Sequence, residues 1–231
     1  SLVWGSVWDA TRDAETATRD FINLVLGNIA TETESTTVRT VLGQLLSAVT
    51  LYAEPSTRDA QKERVADELL SLAKKAEAGS DNQFQFLRNF AALATTEFHF
   101  DAISGIRSGA ITLPGLDIDT DLGWELLIAL ASGGRASAAD IDEYLSVDNT
   151  ATGAQSAAHA RAALPGLKNK QAAFDSVWKL DDQPNTIVRT TGLGFQRAVD
   201  PAIFEAFVPQ YFDQLESMWA TRTYAIADDL I

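Results

Sequence analysis

The chain has 231 residues, 46% of them hydrophobic, enough apolar material for one large core or two smaller ones. Its 32 acidic side chains outnumber 18 basic ones for a net charge of −14, which argues against nucleic acid and against anionic membranes as partners, since both recruit basic patches. Cysteine is absent, so disulfides and thiolate metal sites are excluded, and no apolar run reaches the ~20 residues that cross a bilayer; a cytoplasmic location is expected.

The first residue is Ser1 and the single methionine is Met218, yet the apolar pattern begins at once, so the sequence is expected to be a piece of a longer protein. Val3, Trp4, Val7 and Trp8 lie on one face of a short helix. After the polar run that follows, Phe21, Ile22, Val25, Leu26 and Ile29 form the buried face of a second helix. Val38, Val41, Leu42, Leu45, Leu46 and Val49 repeat at helical spacing in a third, which Glu54–Pro55 ends because the residue before proline avoids the helical region. Ser56 to Ala78 reads as a charged amphipathic helix closed by Gly79. Asp81 is placed to cap the next helix, which carries Phe84, Leu87, Ala91 and Ala94 on one side and Phe86, Phe90 and Leu93 beside it, and Phe98 to Ile106 forms another that ends at Gly109.

The chain is organised around Asp121 to Leu145. Leu122, Trp124, Leu126, Leu127, Ile128, Leu130 and Ala131 leave little polar face, which predicts a helix buried between neighbours. Gly133 and Gly134 stop it, and Ser137 with Asp140 forms a capping-box-like start for a second helix whose stripe is Ile141, Tyr144 and Leu145. An alanine-rich helix from Asp148 to Leu164 follows, broken by Pro165–Gly166. Lys168 to Leu180 carries Phe174, Val177 and Trp178, and Pro184 opens a helix that reaches Phe195. Asp200–Pro201 reads as a cap followed by proline at the first helical position. The last apolar stripe runs from Phe204 to Trp219 and is expected to kink or split at Pro209. No segment alternates with period two. The expected fold is all-α: roughly ten to twelve helices in antiparallel pairs, as an irregular, HEAT-like α-solenoid forming a single domain over residues 1–231.

Chemistry-bearing patterns are sparse. His99 and His159 have no second histidine at helical spacing, so a zinc-binding H-E-x-x-H is absent and both read as packing or surface groups. Asp117, Asp119 and Asp121 begin like a calcium loop, but Leu122 and Ile128 occupy the places that need glycine and glutamate; capping of the central helix by Asp119 or Asp121 is the better reading. Gly192-x-Gly194 is too short to cradle phosphate and fits close helix packing. No nucleophile elbow is present, and the chain as given shows no catalytic machinery.

Five stretches nevertheless form a pattern. They are VWDATRDAET with TRDFI near the start; DTDLGWELL followed by GRASAADID; DNTATG; QPN with GLGF; and YFDQLESMWA. In this order they resemble the C-terminal helical domain of actinobacterial aminopeptidase N, of the M1 zinc metallopeptidase family, over essentially the whole chain. That domain typically opens W-D-M-T-R-D-G-E. Here Ala10 stands in place of the methionine, and Gly123 stands where this branch usually has arginine.

The resemblance implies a parent enzyme that removes N-terminal residues from peptides. In that family the zinc ligands and the exopeptidase motif lie in an upstream catalytic domain, so no catalytic or metal residue is carried over to this chain. The helical domain is expected to be a HEAT-like bowl that encloses the active-site chamber and limits which peptides enter. The implied partners are the upstream catalytic domain of the same polypeptide and peptide substrates. Arg12, Trp124 and Arg189 are the candidates for chamber or interface positions, with a surface ion pair or core packing as the competing account of each. A free-standing α-solenoid scaffold that binds another protein is the alternative function.

Overall fold

The computed structural model describes residues 2–179 and 183–230. The described residues form thirteen α-helices, with two short 3₁₀ and two π segments and no strand, and they divide into two compact units, Ser1–Asp119 and Thr120–Ile231. No described helix is long and apolar enough to cross a membrane.

The first unit holds α1 (Leu2–Arg12), α2 (Thr18–Asn28), α3 (Ser35–Ser47), α4 (Arg58–Lys75), α5 (Asp81–Leu93) and α6 (Glu97–Ser108). Its core is the set of stripes read from the sequence: Phe21, Ile22 and Val25 of α2, Val38, Leu42 and Leu45 of α3, Leu69 of α4, and Phe86, Leu87 and Phe90 of α5. A π turn, Ala48–Tyr52, prolongs α3 until Glu54–Pro55 forces an exit. Helix α4 is shorter than the charge pattern suggests, because its apolar stripe gives nothing to bury before Arg58 or after Lys75. The cap of α5 is Ser80 rather than Asp81: the Ser80 hydroxyl accepts from the Gln83 N–H at 3.2 Å, and Asp81 sits in the first turn beside the positive helix end. Between α1 and α2 the chain turns through Ala14, whose φ of 62° places a non-glycine residue in the left-handed region. Glycine occupies the matching place in the typical opening quoted above, and the turn geometry supplies the reason.

The second unit holds α7 (Thr120–Ser132), α8 (Ala138–Val147), α9 (Ala151–Ala163), α10 (Leu167–Phe174), α11 (Asn185–Phe195), α12 (Val208–Thr221) and α13 (Tyr224–Leu230). Every residue from Leu126 to Ser132 is buried, as the all-round apolar sequence demands. The helix ends as expected at Gly134, φ 69°, with the Arg135 N–H reaching back to the Leu130 carbonyl at 2.8 Å and the Gly134 N–H to Ala131 at 3.0 Å. The Ser137 capping box is formed in both directions: the Asp140 N–H donates to the Ser137 hydroxyl at 3.3 Å, and the Ser137 N–H donates to the Asp140 carboxylate at 2.7 Å.

Helix α9 starts at Ala151 with Thr150 as its cap, not at Asp148, which is used elsewhere. A π turn, Asp175–Lys179, continues α10; the expected end at Leu180 lies outside the described residues. Pro209 splits the last stripe rather than kinking it, since a 3₁₀ segment, Pro201–Phe207, gives way to α12 with the proline in its first turn. Helix α13 has no counterpart in the sequence reading, because YAIADDL offers only Ile226 and Ala227 to bury.

In the first unit the sequence neighbours α4 and α5 pack most extensively, and helices two apart also meet: α2 on α4 and α3 on α5 there, α7 on α9, α9 on α11 and α11 on α13 in the second. That is the neighbour rule of stacked helix pairs, in agreement with the all-α, solenoid-like fold expected.

Candidate functional site

The three candidate residues each have local partners. Arg12 closes the last turn of α1, where it pairs with Asp9 at 3.4 Å and Asp13 at 3.5 Å and stays about half exposed to solvent. Arg189 on α11 is exposed and pairs with Asp229 of α13 at 3.0 Å. Trp124 is 2% exposed and belongs to the core of the second unit, packed with Leu127, Ile128, Ile141 and Ala157. Arg12 lies in the first unit, and Trp124 and Arg189 in the second.

Trp124 is the centre of an interlock that explains two of the sequence motifs. Its indole N–H donates to the Asp148 carboxylate at 2.8 Å, and the Tyr144 ring meets its face edge-on with centroids 4.8 Å apart. Asp148 also accepts from the Thr150 hydroxyl at 2.8 Å, and Thr150 accepts from the Gly153 N–H at 3.0 Å to cap α9. A Cβ on Gly153 would run into the Asp148 carbonyl and lie 2.6 Å from its carboxylate, so the glycine of DNTATG is a packing requirement. Gly123 is fixed in the same way, because the Tyr144 hydroxyl occupies the space of its missing Cβ.

A second interlock was not legible as a motif. Lys170 on α10 is fully buried, and its ammonium shares its three protons among four carbonyls: Arg197 at 2.6 Å, Ala162 at 2.8 Å, Phe195 at 2.9 Å and Gly194 at 3.2 Å. These belong to the ends of α9 and α11 and the residues after α11, where backbone acceptors run out of helical donors. Burial, then the charge of Arg197, pulls the Lys170 pKa down from 10.5 to about 8, so the group is an ammonium at neutral pH. Its ammonium also lies 5.8 Å from the Phe195 ring centroid and 5.9 Å from that of Phe204. The one available signal was spacing, since Lys170 falls in line with the core residues Phe174 and Val177.

Both histidines serve packing. His99 is buried, accepts from the Thr95 and Thr96 N–H groups through Nδ1 at 3.2 and 3.4 Å, and holds Nε2 3.0 Å from Asp67, where Nε2–H donates to the carboxylate. His159 sits on α9 where that helix meets α11 so closely that a Cβ on Gly194 would strike the His159 carbonyl. The two glycines near the end of α11 therefore serve close packing, as read from the sequence: Gly192 lies against Leu230, and Gly194 against His159 and Ala162. Burial first, then Arg197 and Lys170, lowers the His159 pKa to about 4.

Among the described residues, no group of three His, Cys, Asp or Glu side chains could hold a metal ion. The second unit has an aromatic cleft of ≈ 300 Å³, walled by Phe174, Trp178, Phe195, Phe204, Phe207 and Phe212. Trp178 is one of its walls, and its indole N–H is buried without a hydrogen-bond partner.

The model of the ERAP1-like C-terminal domain matches residues 1–231. The chain belongs to the ERAP1-like C-terminal domain family. It is 36% identical over 230 residues to aminopeptidase N of Streptomyces lividans, and that match takes in the whole chain but only 27% of the relative. The chain thus spans about a quarter of the length of the curated relative it matches. The motifs of this ERAP1-like domain are structural. DTDLGW and DNTATG meet at the Trp124–Asp148 hydrogen bond, and GLGF supplies two of the carbonyls that hold Lys170.

Proposed function

We propose that this chain is the non-catalytic C-terminal domain of a zinc-dependent aminopeptidase N, acting as one functional domain over residues 1–231. In this reading it walls the active-site chamber and controls which peptides enter, and the parent enzyme removes N-terminal residues. The observation that carries it is the family match over the full chain together with the alignment to a quarter of an aminopeptidase N. In this reading the zinc site belongs to the upstream catalytic domain of the same polypeptide, which is the chain's first partner, as the match to a quarter of an aminopeptidase N supports. Peptides are the second partner, and a cytoplasmic location fits the composition. The family match does not favour a free-standing scaffold.

Arg12 and Arg189 are exposed cations that serve this reading as wall or interface positions, and Trp124 acts from the core by fixing α7 against the start of α9. The test is a mixing assay. The chain is added to the zinc-loaded catalytic part of the same parent and hydrolysis is followed over peptides of increasing length. Restored activity or a changed length preference is the expected result. A catalytic part whose rate and length preference ignore the added chain, with no binding between them, refutes the proposal.

A further inference from the structure

The C-terminal part of the second unit carries an apolar face that its own fold leaves uncovered. Helix α12 buries Met218 against the cluster of Phe174, Val177, Trp178 and Phe195. Its other apolar stripe faces solvent: Val208, Phe212, Leu215 and Trp219 follow i, i+4, i+7 and i+11, with Val208, Phe212 and Trp219 between 51% and 66% exposed. Trp219 meets Tyr224 of α13 edge-on at 6.2 Å, and Tyr224 is itself exposed, so the stripe continues onto the last helix. At its other end it runs into the aromatic cleft, because Val208 and Phe212 belong to both. Scattered exposed hydrophobics need no explanation, but a ridge of this length joined to a cleft does.

The charge carried by the segment that bears this face is predominantly acidic. From Asp200 to Leu230 the acidic groups are Asp200, Glu205, Asp213, Glu216, Asp228 and Asp229, and the single base is Arg222. Arg222 is turned inward, donating to the Val177 carbonyl at 3.2 Å. Of the bases contributed by neighbouring elements, Lys179 is held by Asp175 at 2.7 Å, and Arg189 by Asp229 at 3.0 Å. An apolar ridge and groove inside an acidic rim is the complement of one kind of surface: an amphipathic helix with large apolar anchors on one face and lysine or arginine beside them.

We propose that the α12 ridge and its adjoining aromatic cleft form a docking site for a basic amphipathic helical segment. The anchors of that segment fill the cleft beside Phe212 and lie along the ridge to Trp219, and its basic side chains face Glu205, Asp213 and Glu216. An anionic lipid surface is repelled by the same rim, and a second copy of this acidic chain meets like charge. The inference goes beyond the aminopeptidase reading and does not depend on peptide hydrolysis.

The probe is a synthetic Leu/Lys amphipathic peptide of about 18 residues, long enough to hold a helix when bound. Its controls are a scrambled peptide of the same composition and a Leu/Glu counterpart. Binding to the 231-residue chain is read by calorimetry and by tryptophan fluorescence. The Leu/Lys helix binds at least about ten-fold tighter than either control, and its affinity falls as salt rises. Phe212→Ser with Trp219→Ser, both at exposed positions, removes that preference while the circular dichroism and melting profile stay unchanged. Asp213→Lys with Glu216→Lys shifts preference toward the Leu/Glu peptide. Equal binding of the scrambled peptide, or retention of affinity in the Phe212/Trp219 variant, overturns the proposal. So does concentration-dependent self-association that the same variant abolishes, which would make a second copy the occupant.

Discussion

Replacing Lys170 with methionine tests whether one buried ammonium ties the second unit together. Methionine keeps an unbranched apolar stem, one atom shorter than lysine, and removes the charge and its three protons. The four carbonyls at 2.6–3.2 Å would then lose their shared donor in a place water does not reach. Each buried carbonyl left without a partner costs about 1–3 kcal/mol. The variant also escapes the expense of burying a cation, several kcal/mol, which the reduced pKa of about 8 registers. With three well-directed bonds lost and that relief set against them, the net destabilisation is about 3 kcal/mol. For a chain of this size that lowers the melting temperature by about 6–12 °C. The assay is urea and thermal unfolding followed by circular dichroism at pH 7, with the exposed neighbour Lys168→Met as the control for charge alone. A Lys170→Met chain within about 0.5 kcal/mol of the parent, like the control, would refute the reasoning, for it would mean the helix ends find other donors at no cost.

Three further outcomes are expected. Ala14→Gly removes the left-handed strain of a Cβ at φ 62°; the gain of about 1–2 kcal/mol, less the entropy that glycine loses on folding, should leave the chain stabilised by about 0.5–1 kcal/mol in urea titrations. Gly194→Ala drives a methyl into the His159 carbonyl and to 2.8 Å from the Ala162 Cβ, so unfolding measurements should show a loss of about 2–3 kcal/mol, whereas Gly43→Ala, with open space around it, should not. The His159 pKa is lowered to about 4, so the native chain binds fewer protons than the unfolded chain between pH 6.5 and 4. Its contribution is intact above pH 6.5 and lost as pH falls through that window, by about 3 kcal/mol, and a His159→Gln variant should show a correspondingly flatter stability profile on acidification.

What the sequence made legible was what local physics controls. The all-round apolar run from Leu122 to Ala131 could only be a buried helix, Gly134 could end it without strain, and Ser137 with Asp140 could start the next; each is where those rules put it. Boundaries failed where two residues compete for one job. Ser80 and Asp81 can both cap α5, and only the placement of the Gln83 N–H decides between them. The alanine-rich run reads as a helix from Asp148, but the Asp148 carboxylate is committed to Trp124, and Thr150 takes the cap. That commitment joins residues 24 apart, and no periodicity reports it.

The same distinction governs function. A catalytic motif announces itself because chemistry fixes residue types at fixed spacing, whereas a docking or chamber-forming domain is read through surfaces that exist only once the chain is folded. Lys170 shows the difficulty from the inside: its partners are backbone carbonyls, which any sequence could supply, so nothing but its alignment with Phe174 and Val177 marks it. The α12 stripe shows it from the outside. Val208, Phe212, Leu215 and Trp219 share one sequence pattern with the buried Met218, and only the packed structure separates the face that is satisfied from the face that still wants a partner. A helix with one apolar stripe buried against its neighbours and a second left to solvent is the physical form in which the proposed docking site shows itself.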